Sequence, residues 1–307
     1  MALLKLIVKI FVSIALLVIL FYKTDIRLFL TTITSIGLLN FLLLSAIYIF
    51  SQIISSIRWH FVLKSLGENV KSIELLKIYF IGMYANLFLP SIIGGDALKA
   101  YILSKKIPLN KSISSIFLER YNGLLALLFV SLISVTLFKS FFKKEIVIMV
   151  IAINIFAYFS VYSIKFFTKY SKKLETFFNN IKTFHKSKYF ISVSILSLFV
   201  QLIVISVYIT AGNMLGFRVN YAYYLAFIPI INLISFLPIS FNGIGVRESA
   251  FVLFFSLANL NKTQSLTLSL EVFFVTVFCS LIGGIIYLVQ KSDYKKIARL
   301  HKSQSIN

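Results

Sequence analysis

The segment Ile228-Pro-Ile-Ile-Asn-Leu-Ile-Ser-Phe-Leu-Pro-Ile-Ser-Phe-Asn-Gly-Ile-Gly-Val-Arg-Glu248 decides the fold. It begins as an apolar stretch suited to a bilayer and is then broken at Pro238, Asn242, Gly243 and Gly245. Backbone groups freed by such a break cannot face lipid, because an unpaired peptide group in hydrocarbon costs several kcal/mol. The segment is therefore predicted to turn inside protein or beside a water-filled cavity. It carries Arg247 and Glu248 to that place, and charged side chains at membrane depth indicate a functional site.

A similar pattern occurs in the first half of the chain, in Asn86-Leu-Phe-Leu-Pro-Ser-Ile-Ile-Gly-Gly-Asp96. In both segments an asparagine precedes Leu-Pro, two glycines follow, and an acidic residue ends the run. Interrupted apolar segments at matching places in two halves are typical of a binding site between repeats. The alternative interpretation is two ordinary kinked helices that resemble each other by accident.

The composition of the 307-residue chain is that of an integral membrane protein, since 59% of its residues are hydrophobic and its mean hydropathy is +0.93. Its single cysteine and three scattered histidines make disulfide and metal chemistry poor candidates, and no cofactor is expected. The net charge of +21 is attributed to lysines beside membrane spans, which set orientation and meet anionic headgroups, and not to nucleic-acid binding.

Six apolar runs are long enough to cross a bilayer, and two interrupted regions lie near Ile78–Leu103 and Tyr221–Leu260. The six predicted spans are Leu3–Phe21, Gly37–Ile57, Ile113–Phe138, Glu145–Phe167, Tyr189–Gly212 and Gln264–Val289. If each interrupted region is a re-entrant hairpin, most Lys and Arg lie on the cytoplasmic side together with both termini. The predicted fold is thus an all-α polytopic bundle with two hairpins entering from opposite faces.

The whole chain, residues 1–307, is predicted to form one membrane domain, with half-repeats at about 37–140 and 189–290. Between the halves, Lys165–Lys188 has aromatic residues at helical spacing and lysines on its other faces. We expect this amphipathic helix to lie on the cytoplasmic leaflet. Its role is either to gather anionic lipid or, as the simpler interpretation, to connect the halves.

Glu119 and Arg120 lie about two turns inside the third predicted span. Consecutive residues point about 100° apart on a helix, so each of the two charges is expected to need a further partner. We expect a network at one central cavity, although a static structural brace is the alternative interpretation. The residues predicted to form the substrate-binding or translocation site are Asn86, Pro90, Gly94, Gly95, Asp96, Glu119, Arg120, Asn232, Pro238, Asn242, Gly243, Gly245, Arg247 and Glu248.

Three motifs, at residues 86–96, 119–123 (Glu-Arg-Tyr-Asn-Gly) and 237–248, together resemble the membrane domain of the lysylphosphatidylglycerol synthases, also called the flippase-like family. The resemblance implies a bacterial or archaeal inner-membrane protein that moves a lipid between leaflets. Lys99 stands where family members often have an arginine, so a point charge replaces a bidentate fork there. The chain ends at Asn307 without a soluble aminoacyl-transferase domain, so lysyl transfer is not expected.

The leading hypothesis is a lipid translocase whose partners are anionic or phosphate-bearing membrane lipids. An intramembrane lipid-modifying or glycosyl transferase is the second hypothesis, with Asp96, Glu119 or Glu248 as the base. Against an enzyme, the sequence has no nucleotide-binding loop and no His-Glu-x-x-His motif. A third hypothesis is an accessory subunit that works with cell-envelope assembly proteins.

Overall fold

The computed structural model describes residues 11, 14, 18, 27, 30, 31, 34–89, 92–167, 172–235, 240 and 243–304. Between residues 37 and 304 the described chain forms α-helices, one short 3-10 helix at Lys139–Phe141, and no strand. The helices are α1 (Gly37–Ser65), α2 (Ser72–Phe88), α3 (Ile92–Ser104), α4 (Leu109–Leu137), α5 (Lys144–Phe167), α6 (Lys172–Lys186), α7 (Phe190–Met214), α8 (Tyr221–Ser235), α9 (Val246–Ser256) and α10 (Lys262–Gln304).

The predicted all-α polytopic bundle is confirmed. Four helices are long and apolar enough to cross a membrane, namely Gly37–Ser65, Leu109–Leu137, Phe190–Met214 and the Lys262–Val289 part of α10. They contain four of the predicted spans almost entirely, and helix α5 coincides with the predicted span Glu145–Phe167 to within one residue. The remaining predicted span, Leu3–Phe21, lies mostly outside the described residues.

The first interrupted region folds as an antiparallel helical hairpin of α2 and α3. At its open end, Lys106 forms an ion pair with Glu74 in the first turn of α2. At its tip, the backbone N–H of Gly95 donates to Oδ1 of Asn86 over 2.8 Å. The first arm therefore starts, and the second arm ends, at the same end of the bundle, as a re-entrant hairpin requires.

The second interrupted region forms a corresponding hairpin of α8 and α9. The ring of Tyr224, near the start of α8, lies 5.2 Å from that of Phe255, near the end of α9. At the opposite end, a Cβ on Gly243 would meet the backbone oxygen of Ser235 at 2.9 Å, so the two arms come close again at their tip. Pro229 lies within α8, where it removes one backbone donor.

The two hairpins open at opposite ends of α4. The start of α4 lies beside the loop that precedes the first hairpin, because Lys111 pairs with Glu68 at 2.6 Å. Near the other end of α4, the Ser134 hydroxyl donates to the carbonyl of Ala222 at the start of α8 over 2.9 Å. The tips of the hairpins are thus directed toward each other inside the bundle.

The helices pair across the predicted halves of the chain. Helix α1 packs on α7, the first arm α2 packs on α10, and the first arm α8 packs on α4. The close approach of α2 to α10 depends on Gly283, because a Cβ there would overlap the carbonyl of Phe80. The contact of α2 with α10 corresponds to the contact of α8 with α4, as two related halves would produce. The half-repeats themselves stay a prediction.

The connector helix α6 is shorter than the predicted segment Lys165–Lys188, since Lys165 belongs to α5. Its apolar residues Phe178, Ile181 and Phe184 are buried, the last two in a cluster with side chains of α1, α4 and α7. The amphipathic pattern around these three residues therefore reflects packing on the bundle. This arrangement favours the simpler interpretation, a connector with solvated lysines.

Candidate functional site

A cavity of about 210 Å³ lies between the first hairpin and helices α1, α4, α9 and α10. We call it the polar cavity, because three cationic side chains and several hydroxyl and amide groups line it. Its lining residues are Tyr48, Gln52, Tyr79, Gly82, Met83, Asn86, Leu87, Lys99, Arg120, Arg247, Phe273, Thr276 and Ser280. Polar groups at membrane depth are tolerated where they surround such a cavity.

Arg120 is held at the polar cavity by Asp96. Its Nε donates to Oδ2 of Asp96 over 2.9 Å, and its Nη2 donates to Oδ1 over 3.0 Å. This bidentate geometry is the strongest that a guanidinium and a carboxylate adopt. The Arg120 side chain remains 37% exposed, whereas Asp96 is 14% exposed, so the arginine is the accessible member of the pair.

Lys99 binds the same carboxylate from the other side, with its Nζ 2.7 Å from Oδ1 of Asp96. The ammonium lies 5.3 Å from the ring centre of Trp59 and 4.8 Å from that of Tyr79. These cation–π contacts compensate for burial of the charge. A Cβ on Gly82 would lie 2.6 Å from Cγ of Lys99, so glycine at this position makes room for the lysine stem.

A second ion pair lies behind Arg120, between Arg58 on α1 and Glu119 on α4. Both side chains are buried, and Nη1 of Arg58 also donates to the Ser197 hydroxyl over 3.2 Å. Gly123 leaves space for this arginine, since a Cβ there would lie 3.2 Å from Nη1. Nε of Arg120 is 4.0 Å from Oε2 of Glu119, which connects the two pairs.

Arg247 and Glu248 bond to each other at the start of α9. Nε of Arg247 donates to Oε1 of Glu248 over 3.0 Å, and the guanidinium lies 4.7 Å from the ring centre of Phe273. Glu248 is fully buried and its Oε2 accepts from the backbone N–H of Gly245 over 2.6 Å. It therefore caps the helix N-terminus, where a negative charge is favourable.

These contacts leave an excess of positive charge at the polar cavity. The ion pairs around Arg120 contain three cations, Arg58, Lys99 and Arg120. They contain only two carboxylates, Asp96 and Glu119. Among the residues that the structure describes, one of these positive charges thus has no carboxylate to balance it. The Arg247–Glu248 pair is neutral.

The structure brings together Asn86, Arg120 and Arg247 on the cavity wall, and it joins Asp96 to them through Arg120. The predicted glycines all mark turns or close contacts. Gly243 and Gly245 have φ of +76° and +83°, where a side chain is strained. Gly94 and Gly95 lie in the first turn of α3, where a Cβ would overlap Leu89 and Asn86 respectively.

Other predicted residues lie off the cavity wall or outside the described part of the chain. Glu119 and Glu248 are buried behind their arginines and do not line the cavity. Asn232 is half-buried on α8 and does not line it either. The residues outside the described part are Pro90, Pro238 and Asn242.

The sequence prediction missed Arg58 as the partner of Glu119, and it treated Lys99 only as a departure from the family pattern. Arg58 directly follows the predicted span Gly37–Ile57, so the sequence pattern alone places it outside the span. The helix continues to Ser65 and places Arg58 inside the bundle. Glu271, in the last span, is buried, has no partner for Oε1 in the described residues, and does not line the cavity.

No cluster of three or more His, Cys, Asp or Glu side chains among the described residues is placed to hold a metal ion. Comparison with known proteins gives one family match. The family model described as the lysylphosphatidylglycerol synthase TM region matches residues 6–284, and this chain belongs to that family. No curated protein and no solved structure matches significantly.

Proposed function

We propose that this member of the lysylphosphatidylglycerol synthase TM region family is a lipid translocase of the cytoplasmic membrane. It moves an anionic phospholipid or a lipid-linked headgroup between leaflets. The phosphate binds in the polar cavity, where Arg120 and Arg247 face it, while the chains stay in an apolar environment.

The observation that carries the proposal is that Arg120 and Arg247, far apart in sequence, line one cavity together with Lys99. Arginine forks match phosphate geometry and bind it by charge-assisted hydrogen bonds. The uncompensated positive charge beside Arg120 is balanced when one anionic group enters. A headgroup crossing hydrocarbon needs such a polar position, since an unpaired charge at this depth is costly.

A transferase is the less favoured alternative because its candidate bases are engaged in ion pairs. Asp96 accepts from Arg120 and Lys99, Glu119 pairs with Arg58, and Glu248 pairs with Arg247. A carboxylate held in this way is a poor general base, since the paired cation stabilises its deprotonated form. We therefore propose a non-enzymatic role without a cofactor, with membrane lipids as the partners.

The test is leaflet exchange of fluorescently labelled phosphatidylglycerol in vesicles containing the purified protein. The Arg247→Ala variant should insert and fold, but its rate of lipid exchange should fall by about tenfold or more, as loss of a charge-assisted hydrogen bond implies. Arg247→Lys should recover part of the rate, because lysine supplies the charge without the fork.

Arg218→Ala is the matched control, since Arg218 is exposed and lies outside the polar cavity. It should leave the exchange rate unchanged. A wild-type rate in Arg247→Ala would remove Arg247 from the mechanism. Exchange no faster with the wild-type protein than in protein-free vesicles would contradict the proposed translocation of this lipid.

A further inference from the structure

A second cavity, of about 280 Å³, also borders Arg120 and lies between helices α1, α4, α7 and α8. We call it the apolar cavity. Its lining residues are Arg58, Phe117, Arg120, Tyr121, Gly123, Leu124, Leu127, Gln201 and Leu233. Unlike the polar cavity, it has a wall made mainly of leucine and aromatic side chains.

The apolar wall follows one stripe of α4. Phe117, Tyr121, Leu124 and Leu127 recur at intervals of three and four residues, so they lie above one another on the helix. At 1.5 Å per residue the stripe is about 15 Å long. Such an elongated apolar wall suits a hydrocarbon chain lying along α4.

Arg120 lines both cavities, so this residue connects them. The apolar cavity also reaches Arg58, which is buried and whose Nε has no hydrogen-bond partner among the described residues. A buried donor of this kind is normally paired, and an unpaired one points to a missing partner. An apolar cavity that two arginines also line matches a ligand that has an anionic group attached to a chain.

We propose that the apolar cavity binds the hydrocarbon chain of the lipid whose phosphate binds at Arg120 and whose headgroup occupies the polar cavity. This inference rests on the proposed function and adds a place for the chain. The phosphate binds the exposed part of Arg120 in the polar cavity, and Asp96 keeps its contacts with Arg120 and with Lys99, whose Nζ is 2.7 Å from Oδ1. The chain belongs either to a glycerophospholipid or to a polyprenyl phosphate.

The test measures binding of three probes to the full-length protein in detergent. Dioctanoyl phosphatidylglycerol and farnesyl phosphate carry a chain on a phosphate, and glycerol 3-phosphate has no chain. At least one chain-bearing probe should bind the wild-type protein about tenfold more tightly than glycerol 3-phosphate, since each buried methylene favours binding. The tighter of the two identifies the source of the chain.

Filling the apolar cavity with a larger side chain should abolish the preference for a chain-bearing probe over glycerol 3-phosphate. Leu124→Trp acts from α4 and Leu233→Trp from α8, and both leucines are half-buried, so either variant tests the site if the other fails to fold. Ile133→Trp is the control, because Ile133 is exposed on α4 and lines neither cavity. Each filling variant should bind the chain-bearing probe about tenfold more weakly, while Ile133→Trp and the binding of glycerol 3-phosphate stay unchanged.

Two results would overturn the inference, and they differ in what they say of the proposed function. If a folded filling variant keeps the wild-type preference for the chain-bearing probe, the chain does not lie in the apolar cavity, although the phosphate site stands. If the wild-type protein binds none of the three probes, the phosphate site itself is absent and the proposed function fails as well.

Discussion

Arg58 and Glu119 show how single residues constrain this protein. Both are buried and bonded to each other, so neither can lose its partner without leaving an isolated charge in a medium of low polarity. Removing one member of a buried pair costs about 3–5 kcal/mol, although apolar replacement of both is often neutral. The pair therefore fixes α1 against α4 and holds Glu119 next to Arg120.

We predict that Glu119→Gln lowers the free energy of unfolding by about 3–5 kcal/mol, because Arg58 keeps its charge without a carboxylate. Thermal or denaturant unfolding in detergent measures this change. Glu74→Gln is the control, since Glu74 pairs with Lys106 at a partly exposed site where an ion pair contributes less than about 1 kcal/mol. Equal losses in the two variants would contradict the assignment of Arg58 and Glu119 as the buried brace.

The sequence alone predicts charged residues inside the membrane domain wherever a charge interrupts an apolar run. Arg120, Arg247 and Asp96 were found in this way, and their grouping followed from the cost of isolated charges in lipid. The ion-pair partner of Glu119 was less predictable, because it lies 61 positions away on another helix. Only the packing of α1 against α4 decides that contact, and a single sequence does not encode it locally.

The tip of the second hairpin depends on the backbone at Gly245. Its φ of +83° and ψ of −45° lie where an L side chain is strained, and its N–H is the donor that Glu248 accepts at the start of α9. Through this cap, the backbone geometry of the tip sets the position of Arg247 at the polar cavity.

We predict that Gly245→Val leaves the protein inserted in the membrane but reduces lipid exchange by about tenfold or more. The strain of a side chain at this φ costs roughly 1–3 kcal/mol and displaces the start of α9. Gly216→Ala is the matched control, since Gly216 has φ of +75° and nothing within 4 Å of an added Cβ. Exchange at the wild-type rate in Gly245→Val would show that the cap does not position Arg247.

The helices themselves were predicted well because apolar runs of this length fold as helices in a bilayer. The connector was harder to place. Its alternating aromatic and lysine pattern fits both a helix on a membrane surface and a helix packed on protein. The buried Phe184 and Ile181 decide for packing, which depends on the free surface that α1, α4 and α7 leave.

The arrangement of the hairpins and the distribution of basic residues support one orientation of the protein in the membrane. The end where the first hairpin opens carries Lys64, Lys71, Lys105, Lys106, Lys111, Lys172, Lys182, Lys186 and Lys188. The other end carries Lys139, Lys143, Lys144, Arg218 and Lys262 among the described residues. The positive-inside rule thus favours a cytoplasmic position for the first end.

We predict that Lys182 on the connector faces the cytoplasm and that Lys143, between α4 and α5, faces the outside. Cys279 is the only cysteine in the chain, so Cys279→Ala provides a background for single cysteines at these two exposed lysines. A membrane-impermeant maleimide should label Lys143→Cys in intact cells and Lys182→Cys only after permeabilisation. The reverse pattern would invert the assigned orientation while preserving the fold. Labelling of both sites from outside would instead contradict the placement of the hairpin openings on opposite faces of the membrane.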